Sequence, residues 1–134
     1  VHIDMVVRGI CCLRAGVPDE TDNIHIISIV GRYLEHSRIY IFGRGERARY
    51  YIGSADWMTR STLRRVEIAA PVTAPTLKAR LQHIFNTMLA DNSNARVQQP
   101  DGNYVRRMPG ADAVDCQAQF YEEAYQANVH SDLK

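Results

Sequence analysis

Apolar and β-branched positions fall in short blocks separated by Gly, Pro and Asp. Residues 1–12 are dominated by such side chains and run into Arg14-Ala15-Gly16-Val17-Pro18-Asp19, which predicts a buried strand, with Arg8 inside it, followed by a loop. Residues 23–35 carry two periods at once. Ile24 to Ile27 favour extended backbone, whereas Ile29, Val30, Tyr33 and Leu34 share a helical face, and we assign a short helix at 29–34. Residues 38–42 and 49–52 are β-prone and joined by Gly43-Arg44-Gly45-Glu46-Arg47-Ala48, a hairpin with a long, exposed, charged turn. Gly53-Ser54-Ala55-Asp56 ends its second strand, and residues 65–72 predict another strand, stopped by Pro71 and Pro75. Thr73 can cap a helix with Pro75 in its first turn, in which Leu77, Leu81, Ile84, Phe85, Met88 and Leu89 recur at helical spacing up to Asp91. Residues 95–98 and 104–107 flank Pro100-Asp101-Gly102-Asn103, a second hairpin. Val114, Ala118, Tyr121, Tyr125 and Val129 line one side of a closing helix over 114–129. The fold class is therefore α/β, a mixed β-sheet covered by α-helices.

Composition narrows the class further. The 134 residues fit one domain, spanning 1–134, and 46% hydrophobic with 23% charged residues excludes disorder and disulfide-dense miniatures. The longest apolar stretches, 3–13 and 24–30, are too short to cross a bilayer. Fourteen of the sixteen basic residues are Arg, whose planar fork suits phosphate or carboxylate, although a GC-rich genome produces the same excess. Residues 1–110 carry 15 basic and 10 acidic groups and residues 111–134 carry 1 and 5, so the acidic end reads as an appended helix. Cys11, Cys12 and Cys116 form no C-x-x-C and are expected as cytosolic thiols. The chain opens Val1-His2-Ile3-Asp4 without an initiator Met or a signal peptide, as a fragment or cleaved piece of a longer protein would.

Candidate chemistry gathers around His36. Along an extended backbone its imidazole and the Arg38 guanidinium point the same way, a pair suited to phosphoryl chemistry. The imidazole can attack phosphorus or shuttle a proton, and the guanidinium can neutralise developing charge. The bland alternative is a histidine satisfied by its own loop. Ser54 and Asp56 can orient that histidine or merely cap the next turn. Arg60, Arg64 and Arg65 with Glu67 form a dense patch, Arg65 and Glu67 on one face of the expected strand; solvated ion pairs are the bland version. Arg8, within an apolar strand, needs a partner or a ligand.

The blocks Val6-Val7-Arg8-Gly9-Ile10-Cys11-Cys12-Leu13-Arg14, Asn23-Ile24, Ser28-Ile29-Val30-Gly31-Arg32-Tyr33-Leu34-Glu35-His36-Ser37-Arg38-Ile39-Tyr40, Tyr51-Ile52-Gly53-Ser54-Ala55-Asp56-Trp57-Met58, Arg64-Arg65-Val66-Glu67 and Gln99-Pro100-Asp101-Gly102 together resemble the C-terminal domain of bacterial polyphosphate kinase. The resemblance covers residues 1 to about 110 and fades in the last helix. It implies a phospholipase D-like half-domain, here lacking its first strand–helix unit, so that residues 1–12 become an exposed sheet edge. His36-Ser37-Arg38 with Gly53-Ser54-Ala55-Asp56 is similar to the superfamily's second histidine motif, with Arg in place of the usual Lys and Asp in place of a frequent Asn.

The resemblance further implies reversible transfer of the terminal phosphoryl group of ATP to polyphosphate, through a phosphohistidine on the partner domain. His36 becomes the second active-site histidine. Arg8, Arg65 and Glu67 fall on positions used around bound nucleotide (ATP or ADP), both arginines on phosphate oxygens. Magnesium is expected on the partner domain, with no metal site built wholly from this chain. Implied partners are polyphosphate, ATP, the N-terminal domains of the same enzyme and further copies in a homo-oligomer. The implied location is cytoplasmic, with membrane association of the full enzyme but no membrane span. One departure stands out: the family usually reads Arg-Asn-Leu-Asp-Arg-Arg where this chain has Arg60-Ser61-Thr62-Leu63-Arg64-Arg65. Two other functions stay open, a non-catalytic polyphosphate or nucleic-acid binding module and a phosphodiesterase built as a symmetric dimer around two copies of His36.

Overall fold

The computed structural model describes residues 1–9, 11–110 and 112–131. Ile10 of the first family block, and Ala111 and residues 132–134 of the expected terminal segment, lie outside the described residues. In chain order the elements are β1 (Ile3–Val7), β2 (Ile24–Ile29), β3 (Ile39–Phe42), one 3-10 turn (Gly45–Arg47), β4 (Arg49–Gly53), α1 (Thr59–Leu63), β5 (Ala69–Val72), α2 (Pro75–Ala90), β6 (Ala95–Gln98), β7 (Tyr104–Arg106) and α3 (Cys116–Ser131). The backbone divides into two compact units, residues 1–35 with the chain from Thr87 onward, and residues 36–86.

The first unit holds the expected mixed sheet, in the order β1-β2-β6-β7. β1 and β2 run parallel, with Ile3 opposite Ile24 and Val7 opposite Ser28, and the other pairs are antiparallel. No helix forms at 29–34; Ile29 ends β2 and the following residues are irregular. The reason is position in the sheet. β2 is paired on both sides and covered on both faces, so consecutive Ile26 and Ile27 are both sealed, as in a central strand. The supposed helical stripe instead leaves Val30, Tyr33 and Leu34 exposed. β1 is an edge strand, only half-buried, and Arg8 lies beyond its end on the surface rather than inside a buried strand. The second expected hairpin forms as β6 and β7.

Asp91, fully buried, organises this unit. Its Oδ1 accepts the N–H groups of Ser93, Asn94 and Ala95 at 3.1, 2.8 and 3.0 Å, and its Oδ2 accepts that of Cys116 at 2.9 Å. One carboxylate thus ties the turn after α2 to the first residue of α3. Burial and the adjacent Asp91 push the Cys116 thiol far above its ordinary range, so this cysteine is an inert packing group. Gln117 makes a second tie. Its Oε1 accepts the Tyr33 N–H and its Nε2 donates to the Tyr33 carbonyl, both at 2.8 Å, while the Tyr33 and Tyr121 rings stack. A Cβ on Gly31 would lie 2.5 Å from Gln117 Oε1, and that oxygen cannot yield without giving up its bond to Tyr33. Gly31→Ala is therefore expected to lower stability by about 1–3 kcal/mol in urea denaturation. An unchanged midpoint would show the amide clamp to be dispensable.

The second unit is a three-stranded antiparallel sheet, β3-β4-β5, with the short helix α1 and the first part of α2. The charged hairpin forms as expected, with Ile39 opposite Ile52 and Phe42 opposite Arg49. The third strand starts only at Ala69, not at residue 65, and Pro71 is accommodated because β5 is an edge. α2 begins at Pro75, with the Ala74 carbonyl accepting the Lys78 N–H, so Ala74 rather than Thr73 occupies the capping position. Ser61, in the stretch that departs from the family pattern, is buried within α1.

Candidate active site

Arg38 stands immediately before β3, and Asp56 follows the Gly53-Ser54-Ala55 end of β4. The hairpin register brings the two together: the Gly53 N–H donates to the Arg38 carbonyl at 3.0 Å. Arg38 Nε and Nη2 then donate to Asp56 Oδ1 at 3.1 and 2.8 Å. Arg60, four residues after Asp56, reaches Oδ2 at 3.6 Å. The hydrogen bond and charge of Arg38, with Arg60 adding, hold the Asp56 carboxyl below the usual aspartate range against the opposing effect of burial.

The other side of the same guanidinium meets His36. Arg38 Nη1 lies 2.7 Å from His36 Nδ1 and donates to the His36 carbonyl at 3.0 Å, and Nη2 lies 3.2 Å from Nε2. A guanidinium only donates, so the imidazole nitrogen it meets presents a lone pair. His36 is exposed, not sealed in the interior. Imidazole and guanidinium thus share a face, as two-residue spacing requires.

Ser54 serves a different partner. Its hydroxyl donates to Glu67 Oε2 and accepts the Ile68 N–H at 3.0 Å, so it orients Glu67 rather than the histidine. Asp56 acts on His36 through Arg38. Glu67 and the exposed Arg65 sit in the irregular segment between α1 and β5, so the expected sharing of one strand face by these two is corrected. Arg8 belongs to the first unit, where its Nη1 donates to the Glu35 carbonyl at 3.3 Å.

Sequence reasoning missed an aromatic cleft in the second unit. Asp56 and Glu67 form part of the wall of a cavity of about 380 Å3 that Tyr40, Phe42, Tyr51 and Trp57 also line. The signal was available: Tyr40 and Phe42 are two apart on β3, and Tyr51 lies opposite Tyr40 on β4, which puts three rings on one face. Among the described residues no cluster of three or more His, Cys, Asp or Glu side chains is placed to hold a metal ion. Nor is any described helix long and apolar enough to cross a membrane.

A histidine, an arginine fork and an aspartate thus meet at a strand end of an α/β unit. Residues 1–119 match the model of the family described as polyphosphate kinase C-terminal domain 2. The chain is 55% identical over 111 residues to a polyphosphate kinase of Synechocystis sp., covering 83% of this chain and 15% of that protein. It is 46% identical over 127 residues to one of Bacillus anthracis, covering 94% of this chain and 18% of that protein. A crystal structure of polyphosphate kinase from Porphyromonas gingivalis superposes with a TM-score of 0.82 at 38% identity, over 95% of this chain and 20% of that one. The chain belongs to the polyphosphate kinase C-terminal domain family, with the phospholipase D-like α/β fold. It spans less than a fifth of the length of these two curated relatives.

Proposed function

We propose that this chain forms one wall of a site that moves the terminal phosphoryl group of ATP reversibly onto polyphosphate, through a phosphohistidine on a partner domain. The observation that carries this is the exposed His36 imidazole held by Arg38, itself clamped by Asp56. Phosphoryl transfer asks the protein chiefly for positioning and for positive charge around the equatorial oxygens. Arg38 supplies charge beside an imidazole that can hold or move a proton. Arg8 and Arg65 are assigned to phosphate oxygens, and Glu67, oriented by Ser54, to the nucleotide.

The carboxylates beside His36 do not suit magnesium. Asp56 is engaged by Arg38 and Arg60, and Glu67 accepts the Ser54 hydroxyl. A metal accompanying ATP is therefore assigned to the partner domain. Three free cysteines and an ATP substrate suit a cytoplasmic setting, and a homo-oligomer remains part of this reading.

The test is a chimera in which this chain replaces the matching segment of the Synechocystis sp. polyphosphate kinase. ATP-dependent chain elongation is expected. A folded chimera that binds polyphosphate without elongating it would favour a non-catalytic binding module instead.

A further inference from the structure

In the first unit, β6 and β7 set two like charges against each other. Arg96 on β6 lies directly opposite Arg106 on the edge strand β7, and residues so paired project to one face of a sheet. Like charges in that position repel and cost stability. Both arginines are exposed. Among the described residues neither reaches a carboxylate; Arg106 Nη2 donates to the Ser93 carbonyl at 3.0 Å, and Arg96 holds no hydrogen bond or ion pair. Asp91, in the turn before β6, is already taken up by four backbone N–H groups. The row continues inward from Arg96 to Ser28 on β2 and from Ser28 to Val7 on β1. Ser28 Oγ donates to the Gly9 carbonyl at 2.8 Å, which pins the chain just after Arg8 to the same end of the sheet. Arg8, Arg96 and Arg106 therefore border one sheet end.

We propose that Arg96 and Arg106 cradle the phosphates of a polyphosphate chain, continuing a phosphate row that begins at Arg8; the proposal rests on the phosphoryl-transfer reading above. Three observations commit it to that occupant. Two facing guanidinium forks without carboxylate partners suit an anion between them, which replaces their repulsion with charge-assisted hydrogen bonds. From β1 to β7 the sheet spans three inter-strand spacings, about 14 Å, longer than the three linked phosphates of one nucleotide. A longer chain of phosphates matches that span. Finally, the row of Val7, Ser28, Arg96 and Arg106 contains no ring on which a base could stack. Nearby Tyr104 is half-buried, its hydroxyl accepting the Cys11 N–H at 3.2 Å. Single-stranded nucleic acid, which is held by stacking as well as charge, is thereby disfavoured.

Calorimetric titration of the chain with a long polyphosphate, with tripolyphosphate and with single-stranded DNA of matched charge tests this. The long chain is expected to bind more tightly than tripolyphosphate. Arg96→Gln combined with Arg106→Gln should weaken the long chain about 10- to 100-fold and tripolyphosphate hardly at all. The slope of log affinity against log salt should fall by about 1.5, the share of two lost phosphate contacts. Lys at both positions should retain part of the affinity, because charge remains without the fork. Urea midpoints of the Gln pair should match or exceed wild type once the opposed charges are gone, which separates lost binding from lost folding. Arg96→Gln alone gives a second variant, at a side chain that ties no other part of the fold. Unchanged affinity for the long chain in the Gln pair overturns the cradle, and self-association of that variant would make the two charges a guard on the β7 edge instead. Tighter binding of DNA than of polyphosphate, lost in the Gln pair, overturns the choice of occupant. A chimera that fails to elongate while binding through the pair persists would overturn the phosphoryl-transfer reading and leave the cradle standing.

Discussion

Alanine at His36 is expected to lower ATP-dependent polyphosphate synthesis by about 10²- to 10⁴-fold in the chimera, the range that a positioned acid–base group contributes. The loss should fall mainly on kcat, because phosphate grip is assigned to the arginines. It should not come from unfolding. The ring is exposed, and exposed substitutions away from structural ties change stability by no more than about 0.5 kcal/mol. Arg38 would keep its two bonds to Asp56, so the rest of the cluster stays in place. Undiminished turnover in His36→Ala would remove the imidazole from the mechanism and leave the arginines as an anion-binding surface.

The largest expected effect on stability belongs to a residue far from that chemistry in purpose. Asp91→Ala removes the acceptor of four buried or half-buried N–H groups, those of Ser93, Asn94, Ala95 and Cys116. Each orphaned donor costs free energy, and loss of the shared carboxylate is expected to destabilise the chain by about 3–5 kcal/mol. Asn at this position preserves the shape but turns an N–H donor toward other donors, so it should also destabilise. Burial alone would raise the Asp91 carboxyl, yet the bonds from Cys116, Asn94 and Ala95 outweigh it and hold the group below the usual aspartate range. Because the folded value is the lower one, the contribution is fully present above the unfolded aspartate value of about 3.9 and fades as pH falls through the folded value. Urea midpoints of wild type should therefore drop steeply in that acid window, whereas those of Asp91→Ala should drop less. Parallel acid profiles would assign the hub's strength to something other than ionisation.

Much of the fold was legible because local signals and tertiary demands agree. Asn103 and Gly102 make a turn wherever they are placed, and the apolar stripe of α2 needs only a face to cover. The helix expected at 29–34 failed for a tertiary reason: the sheet needed Ile26 to Ile29 as its centre, and no helical period can outweigh pairing on both sides. The extent of β5 was overestimated because pairing with Gly53 starts the ladder at Ala69, which local propensity does not reveal.

At the site, the two-residue spacing of His36 and Arg38 was readable. That Asp56 would grip Arg38 rather than His36, and Ser54 would grip Glu67, depends on which loop end meets which strand end. Asp91 carried no sequence signal beyond following a helix, because four backbone donors converging on one carboxylate are set by packing.

Central to this account is that His36, with Arg38, faces phosphate. Histidine nitrogen resonances of the chain, recorded during titration with tripolyphosphate, address this most directly. A saturable shift of the His36 Nδ1 and Nε2 signals, lost in Arg38→Ala, is predicted. A ring whose signals stay fixed while tripolyphosphate binds elsewhere would contradict it.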